Sequence, residues 1–140
     1  MPKVAIIGGG AAGMACAIAA AREGAEAHVF ERPDRVGKKL LVTGNGRCNM
    51  SNADIMSSDY NDPEFVQEAM NVLPPESVMA FFEDLGVLAF EEDEGRIYPY
   101  SNKAATVLDM LRLGMKEAGV VEHCDREVRA VAPLSRGGWA

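Results

Sequence analysis

Val4-Ala5-Ile6-Ile7-Gly8-Gly9-Gly10-Ala11-Ala12-Gly13 is a short apolar run broken by three consecutive glycines and resumed by small residues. The unbroken apolar stretch predicts a strand buried on both faces, as in parallel sheets. From Ala11 to Glu23 the residues are small and favour helix, and Gly24 is placed to stop it. Ala27-His28-Val29-Phe30-Glu31 then predicts a second strand. Strand, helix and strand within about thirty residues make one βαβ unit. Gly8, Gly10 and Gly13 fit the spacing G-x-G-x-x-G, flanked by a preceding strand, a following helix and an acidic end to the next strand. Gly8 permits the tight turn, Gly10 lets a diphosphate approach the backbone, and Gly13 lets the helix pack on the strand. The helix start at Ala11 and Ala12 offers unpaired N–H groups and positive dipole to an anion. Glu31 is positioned to accept the hydroxyl hydrogens of an adenosine ribose and to repel a 2′-phosphate, which permits FAD or NAD and disfavours NADP.

Lys3 is followed by an uncharged run from Val4 to Ala21, superficially like a leader or membrane helix. Its glycines and alanines partition poorly into lipid, so a strand, turn and helix explain it better. A net charge of −7 argues against nucleic-acid and anionic-membrane partners, because no basic patch is available. It leaves room for a nucleotide held by backbone amides. The three cysteines, Cys16, Cys48 and Cys124, lack Cys-x-x-Cys spacing. Neither a disulfide framework nor a metal site is expected, and a reducing cytoplasm is the natural setting. Cys16, in the fingerprint helix, is expected in the core. His28 and His123 read as isolated strand residues.

Residues 32–62 are rich in Gly, Asn, Ser, Asp and Lys, a long connection without evident secondary structure. Its first part has the chemistry of a cofactor cradle. Gly37, Gly44 and Gly46 allow close backbone approach, Arg32, Lys38, Lys39 and Arg47 bring cations, and Thr43, Asn45 and Asn49 add neutral donors. Arg47 beside Cys48 would lower that thiol's pKa. With no second cysteine nearby, packing against the cofactor is the expected role of Cys48. Further on, Pro63–Val72 and Pro75–Leu85 predict two helices, and Val87–Glu91 and Arg96–Tyr100 a hairpin around Asp93-Glu94-Gly95. The acidic tip Glu91–Glu94 reads as hydrated surface. Asn102 is placed to cap a helix whose apolar stripe is Ala104, Val107, Leu108, Leu111 and Met115, ending at Gly119. Strands are predicted at Val120–His123 and Glu127–Ala132, and Trp139-Ala140 resembles the start of a returning strand.

Val4–Glu31 resembles the N-terminal FAD fingerprint of flavoproteins with two dinucleotide-binding folds. The block Gly37-Lys38-Lys39-Leu40-Leu41-Val42-Thr43-Gly44-Asn45-Gly46-Arg47-Cys48-Asn49 is more specific. It is similar to the bacterial flavoprotein family that includes aminoacetone-oxidase-type enzymes and bile-acid-type enone reductases. Gly95-Arg96-Ile97-Tyr98-Pro99 and Ser101–Leu108 form a second block of that kind. The resemblance implies that Gly37–Lys39 and Thr43–Asn49 line FAD, and that Val128 presents its backbone to the adenine edge. The fold class implied is α/β: a Rossmann-like FAD-binding domain with a parallel sheet, incomplete, carrying a helical and hairpin insertion. Residues 1–140 are expected to be its N-terminal part, with the rest of that domain and a substrate domain lying outside this sequence.

The expected function is the FAD-binding portion of a flavin-dependent oxidoreductase acting on a small organic substrate, with NAD(P)H as a transient co-substrate. No motif names a catalytic acid or base. Two rivals stand beside this reading. An NAD-dependent dehydrogenase would use the same fingerprint, though it does not need the Gly37–Asn49 extension. A truncated, non-catalytic remnant would bind nucleotide weakly or not at all.

Overall fold

The computed structural model describes residues 1–140, which divide into two compact units. The first comprises Met1–Lys38 and Arg112–Ala140, the second Lys39–Leu111.

The first unit is the βαβ unit with its additions. Strand β1 (Lys3–Ile7) leads into helix α1 (Ala11–Arg22), and β2 (Glu26–Phe30) returns parallel to β1. Much further along, β6 (Val121–His123) adds to the other edge of β2, also parallel, giving the order β1-β2-β6. Helix α1 buries Met14, Ala17 and Ile18, the i, i+3, i+4 stripe that faces the sheet. Beneath it lie Ile6, Ala27 and Val29. The glycine stop is realised in full. The Gly24 N–H donates to Ala21 O and the Ala25 N–H to Ala20 O, satisfying two of the helix's last carbonyls.

Three expectations need correction in this unit. Strand β1 is covered on one face only: Ile6 is buried but Ile7 is 59% exposed, because strand residues alternate and α1 packs on a single side. Cys16 is exposed rather than in the core, since it lies two residues from Met14 and so off the buried stripe. No strand forms at Glu127–Ala132. The Asp125 and Arg126 N–H groups donate to Pro33 O and Glu31 O, and the charged residues beyond pair locally, Arg129 with Glu127 at 3.4 Å. The returning segment at Trp139 does pair, through mutual Ala132–Ala140 bonds and a bridge from Pro133 to Trp139.

The second unit is the helical and hairpin insertion. Two 3-10 turns over Leu40–Gly46, broken at Thr43–Asn45, precede a two-residue strand β3 (Ser51–Asn52). A further 3-10 turn spans Ser57–Asp59. The connection expected to lack secondary structure is therefore partly ordered into turns and one short strand. Helices α2 (Pro63–Val72) and α3 (Pro75–Asp84) follow, each with proline in its first turn, and the Asp62 carboxylate caps α2 by accepting from the Phe65 N–H. Strands β4 (Ala89–Glu91) and β5 (Arg96–Pro99) form the predicted hairpin, and β3 joins β5 to complete an antiparallel sheet ordered β3-β5-β4. Helix α4 (Ala104–Glu117) begins in this unit and ends in the first. Its predicted stripe is buried, with Ala104, Val107, Leu108, Leu111 and Met115 all at most 6% exposed. Asn102 does not cap it. That residue sits at φ 52°, outside the extended region a capping residue adopts, and its side chain is used elsewhere.

Candidate functional site

The glycine turn in the first unit is built from backbone. Gly8 adopts φ +98°, a left-handed conformation open to glycine, and its N–H donates to Phe30 O. Gly10 is extended at φ −75° and ψ −176° and starts α1, with no side chain capping the helix and no acid in its first turn. Only the Met14 N–H bonds back to Gly10 O, so the N–H groups of Ala11, Ala12 and Gly13 head the helix without intrahelical partners. A Cβ on Gly10 would meet nothing within 4 Å, so the space in front of this turn is open. A Cβ on Gly13 would lie 1.9 Å from Gly8 O and 3.4 Å from Ile6 Cγ2. The two outer glycines thus shape the turn, and the middle one leaves room.

Glu31 follows β2 directly, and its side chain turns back to the glycine turn, where Oε2 accepts the Gly9 N–H. That bond fixes one carboxylate oxygen, and the other makes no hydrogen bond within the protein. Gly9 is the residue that sequence reasoning missed. It is buried, a Cβ there would sit 2.5 Å from Val36 Cγ1, and its carbonyl accepts the Gly37 N–H at 2.7 Å. Val36, 1% exposed, underlies the turn, so Gly37 is drawn to the fingerprint by backbone. The signal lay in the third glycine of Gly8-Gly9-Gly10, which the hexapeptide spacing does not require. Lys38 pairs with Asp34 four residues back in the turn, and Arg32 lies 4.0 Å from Glu127. Val128 is 36% exposed, in a segment without ladder pairing.

His28 and His123 are not isolated. His28 Nδ1 lies 3.0 Å from His123 Nε2, and His28 Nε2 lies 2.9 Å from Glu26 Oε1, which also accepts from Lys3 Nζ. The parallel register places His28 and Phe30 on one face, with His123 opposite Phe30 and stacked on it at 4.6 Å. No group of three or more ligating side chains is assembled anywhere in the chain.

In the second unit, the loop Thr43–Asn49 has Gly44, Asn45, Gly46 and Cys48 all at positive φ. Gly44 is tightly required, since a Cβ there would lie 2.6 Å from the Asn49 N. Arg47 does not turn to Cys48. Its guanidinium makes a two-pronged pair with Glu92 at 2.7 and 3.1 Å, donates to Asn102 Oδ1 at 2.6 Å, and stacks 3.9 Å from the Tyr98 ring centroid. The acidic tip is accordingly anchored through Glu92 rather than wholly hydrated. Cys48 is 6% exposed, and burial pushes its thiol pKa up, with a smaller opposing contribution from Thr43. The expected activation by Arg47 is corrected: desolvation wins and the cation points elsewhere. Limited alkylation followed by peptide mass mapping is expected to modify Cys16 first and Cys48 last.

The Arg47 guanidinium holds the Glu92 carboxyl below its ordinary value of 4.5. A carboxyl lowered in the folded state contributes stability above that ordinary value and loses it as pH falls through the lower, folded one. The thermal midpoint should therefore drop on acidification below about pH 4.5. Arg47→Met should lower the midpoint at neutral pH and flatten this acid dependence, measured by thermal melts across a pH series.

Charge divides unevenly between the units. The second holds four Lys/Arg against thirteen Asp/Glu, a net of −9, whereas the first holds ten against eight, a net of +2. No helix is long and apolar enough to cross a membrane.

The family described as HI0933-like protein Rossmann domain matches residues 2–137. A 3-dehydro-bile acid delta(4,6)-reductase of Clostridium scindens is 38% identical over 98% of this chain and 34% of its own length. A ribosomal RNA dihydrouridine synthase of Haemophilus influenzae is 29% identical over 96% of this chain and 37% of its own. The chain thus spans about a third of the length of these curated relatives. Among solved structures, the open conformation of a flavocytochrome c3 fumarate reductase superposes with a TM-score of 0.65 at 19% identity, over 95% of this chain and 28% of that one. That likeness bears on the fold alone.

Proposed function

This chain belongs to the HI0933-like Rossmann domain family, and from that premise we propose that it is the N-terminal part of the FAD-binding domain of a flavin-dependent oxidoreductase. One observation carries the reading: the Glu31 carboxylate is fastened to the Gly9 N–H beside an open helix start at Gly10. An anion at that start meets the N–H groups of Ala11, Ala12 and Gly13 and the positive end of α1. A ribose alongside it meets the unbonded oxygen of Glu31, which accepts hydroxyl hydrogens and repels a 2′-phosphate. The net positive first unit suits a diphosphate. Gly37, Lys38 and Arg32 belong to the same unit, and Lys39, Thr43–Asn49 and Val128 enter the proposal on the family resemblance.

When bound, the flavin supplies hydride transfer. The residues of this chain hold and orient its ADP half, with a nicotinamide as transient co-substrate. We take the substrate to be a small organic molecule. The relative that acts on a bile acid is nearer in identity than the one named for ribosomal RNA, and a chain of net charge −7 repels a polyanion.

Titration of the purified protein with FAD, followed by flavin fluorescence, tests the reading. Saturable binding displaced by ADP but not by its 2′-phosphorylated analogue is expected. Binding of NAD with none of FAD would give the site to a nicotinamide dehydrogenase, and binding of neither would sink both.

A further inference from the structure

Strand β2 gives Ala27 and Val29 to the face under α1 and presents Glu26, His28 and Phe30 on the other. Of the three residues of β6, only His123 has a side chain that is not exposed. It bonds to His28 and stacks on Phe30. The His28 and His123 rings lie within 18° of parallel, with centroids 5.3 Å apart and facing nitrogens 3.0 Å apart, so they meet edge to edge. On its far side His28 Nε2 lies 2.9 Å from Glu26 Oε1. Hydrogen bonds from His28 and Lys3 hold the Glu26 carboxyl below its ordinary value of 4.5, so it is a carboxylate above about pH 5. A carboxylate only accepts, so His28 Nε2 carries a hydrogen. In neutral His28 the facing Nδ1 is then an acceptor, and His123 Nε2 donates to it. One added proton reverses this bond without breaking it. His28 becomes imidazolium and donates from Nδ1, while His123 keeps its hydrogen on Nδ1, which has no partner in the protein. A second added proton leaves N–H facing N–H, two cations with no acceptor between them.

The backbone of Glu31 hangs on the same strand. Its N–H donates to His123 O at 2.9 Å, and its carbonyl accepts the Arg126 N–H at 3.0 Å. Strand β6 pairs with β2 over three residues, a short ladder for holding that position. We propose that His28 and His123 are positioning residues for Glu31: a latch between β2 and β6 that is closed with at most one added proton, opens when both imidazoles are protonated, and so weakens dinucleotide binding in acid. The effect on binding rests on Glu31 receiving the ribose. The open form holds one more proton than the closed form, so falling pH drives opening and rising pH restores the latch. Lys3, on β1, bonds to the same Glu26 oxygen and adds positive charge against the second proton. Glu122 alternates to the α1 side of the sheet, and the segment from Val128 to Ala140 puts no titratable side chain into the groove beside His28. Burial and then Glu122 push the Cys124 thiol up, so it stays neutral. The two imidazoles are therefore the groups here that titrate between about pH 5 and 8.

The test follows amide exchange of Glu31 by NMR in the ligand-free protein from about pH 7.5 to about pH 5, corrected for the intrinsic exchange rate, beside FAD titrations at the same pH values. Protection of the Glu31 amide is expected to fall about three- to tenfold over that range and the Kd for FAD to rise by a similar factor, the worth of one hydrogen bond. His123→Gln keeps a donor and an acceptor and takes up no proton, so both of its profiles should be flat. His123→Phe keeps the stack on Phe30 without the bond, so its Glu31 amide should exchange at every pH as fast as the wild type does in acid. Thermal melts at each pH identify variants that have lost the fold, and His28→Gln removes the same pairing from the β2 side should the His123 variants unfold. Wild-type protection that ignores pH, or an acid step that persists in folded His123→Gln, would overturn the latch. A fall in protection with an unchanged Kd for FAD would overturn its link to the sugar. The two readings fail separately: acid loss of protection without any FAD binding removes the flavin and leaves the latch, and FAD binding with constant protection removes only the latch.

Discussion

Gly13→Ala should unfold the front of this protein more readily, and Gly10→Ala should leave it folded but poor at holding a dinucleotide. A Cβ at position 13 lands 1.9 Å from Gly8 O and 3.1 Å from Gly8 C, backbone atoms that move only if α1 lifts off the turn. Overpacking of this kind costs about 1–3 kcal/mol or more, set against a gain of about 1 kcal/mol from alanine's better helix propensity. The clash wins, because the obstructing atoms are fixed in a turn that Gly8 makes at φ +98°. The thermal midpoint should fall by on the order of 5 °C or more. At position 10 the added methyl meets nothing within 4 Å, and φ is −75°, which alanine adopts freely. The stability cost there is within about 1 kcal/mol, that of a poorer residue at a helix start. The same methyl occupies the strip through which a diphosphate reaches the amides of Ala11 and Ala12. Displacing one or two charge-assisted hydrogen bonds is worth about 1.5–3 kcal/mol, so the Kd for FAD should rise roughly ten- to hundredfold. Thermal melts and flavin titrations of the two variants decide it. Wild-type affinity in Gly10→Ala would place the diphosphate elsewhere.

That contrast follows what was legible in the chain. The strand, turn and helix could be read because each depends on neighbours in sequence: apolar Val4–Ile7, glycines that free the backbone, small residues after them. The stops at Gly24, Gly86 and Gly119 were equally local, and at each the glycine N–H and the next one return to the helix's last carbonyls. Several misreadings turned on a distant partner. Gly9 looked like a spare glycine until Val36 and Glu31 came up against it from 27 and 22 residues away. Arg47 looked like a cation for phosphate or thiol until Glu92 and Asn102, 45 and 55 residues on, took its donors. His28 and His123 meet only through the β2–β6 register, 95 residues apart. The acid excess was countable from the start, but its confinement to residues 39–111 has meaning only once the boundary of the second unit is known.

Removing the carboxylate of Glu31 is the sharper chemical experiment, because that side chain has two separable jobs. One oxygen accepts from the buried Gly9 N–H, so Glu31→Ala strands a backbone donor at a cost of about 1–3 kcal/mol. Glu31→Gln keeps an acceptor for Gly9 while losing the charge that receives ribose hydroxyls, and its thermal midpoint should stay near wild type. Both variants should lose FAD affinity by roughly ten- to hundredfold, the worth of a hydrogen bond to a charged group. FMN carries the flavin and a phosphate but no adenosine, so whatever affinity the protein has for FMN should be indifferent to Glu31→Gln. A ligand with a 2′-phosphate on its ribose should gain rather than lose when the carboxylate is neutralised, since the repulsion disappears with the charge. Flavin fluorescence titrations with FAD and FMN, together with competition by ADP and its 2′-phosphorylated analogue, supply all of these comparisons. An equal loss for FAD and FMN in Glu31→Gln would mean that this residue supports the turn and never touches the sugar. The ribose would then need another acceptor, and the dinucleotide could not lie with its diphosphate at the start of α1 and its sugar at the end of β2.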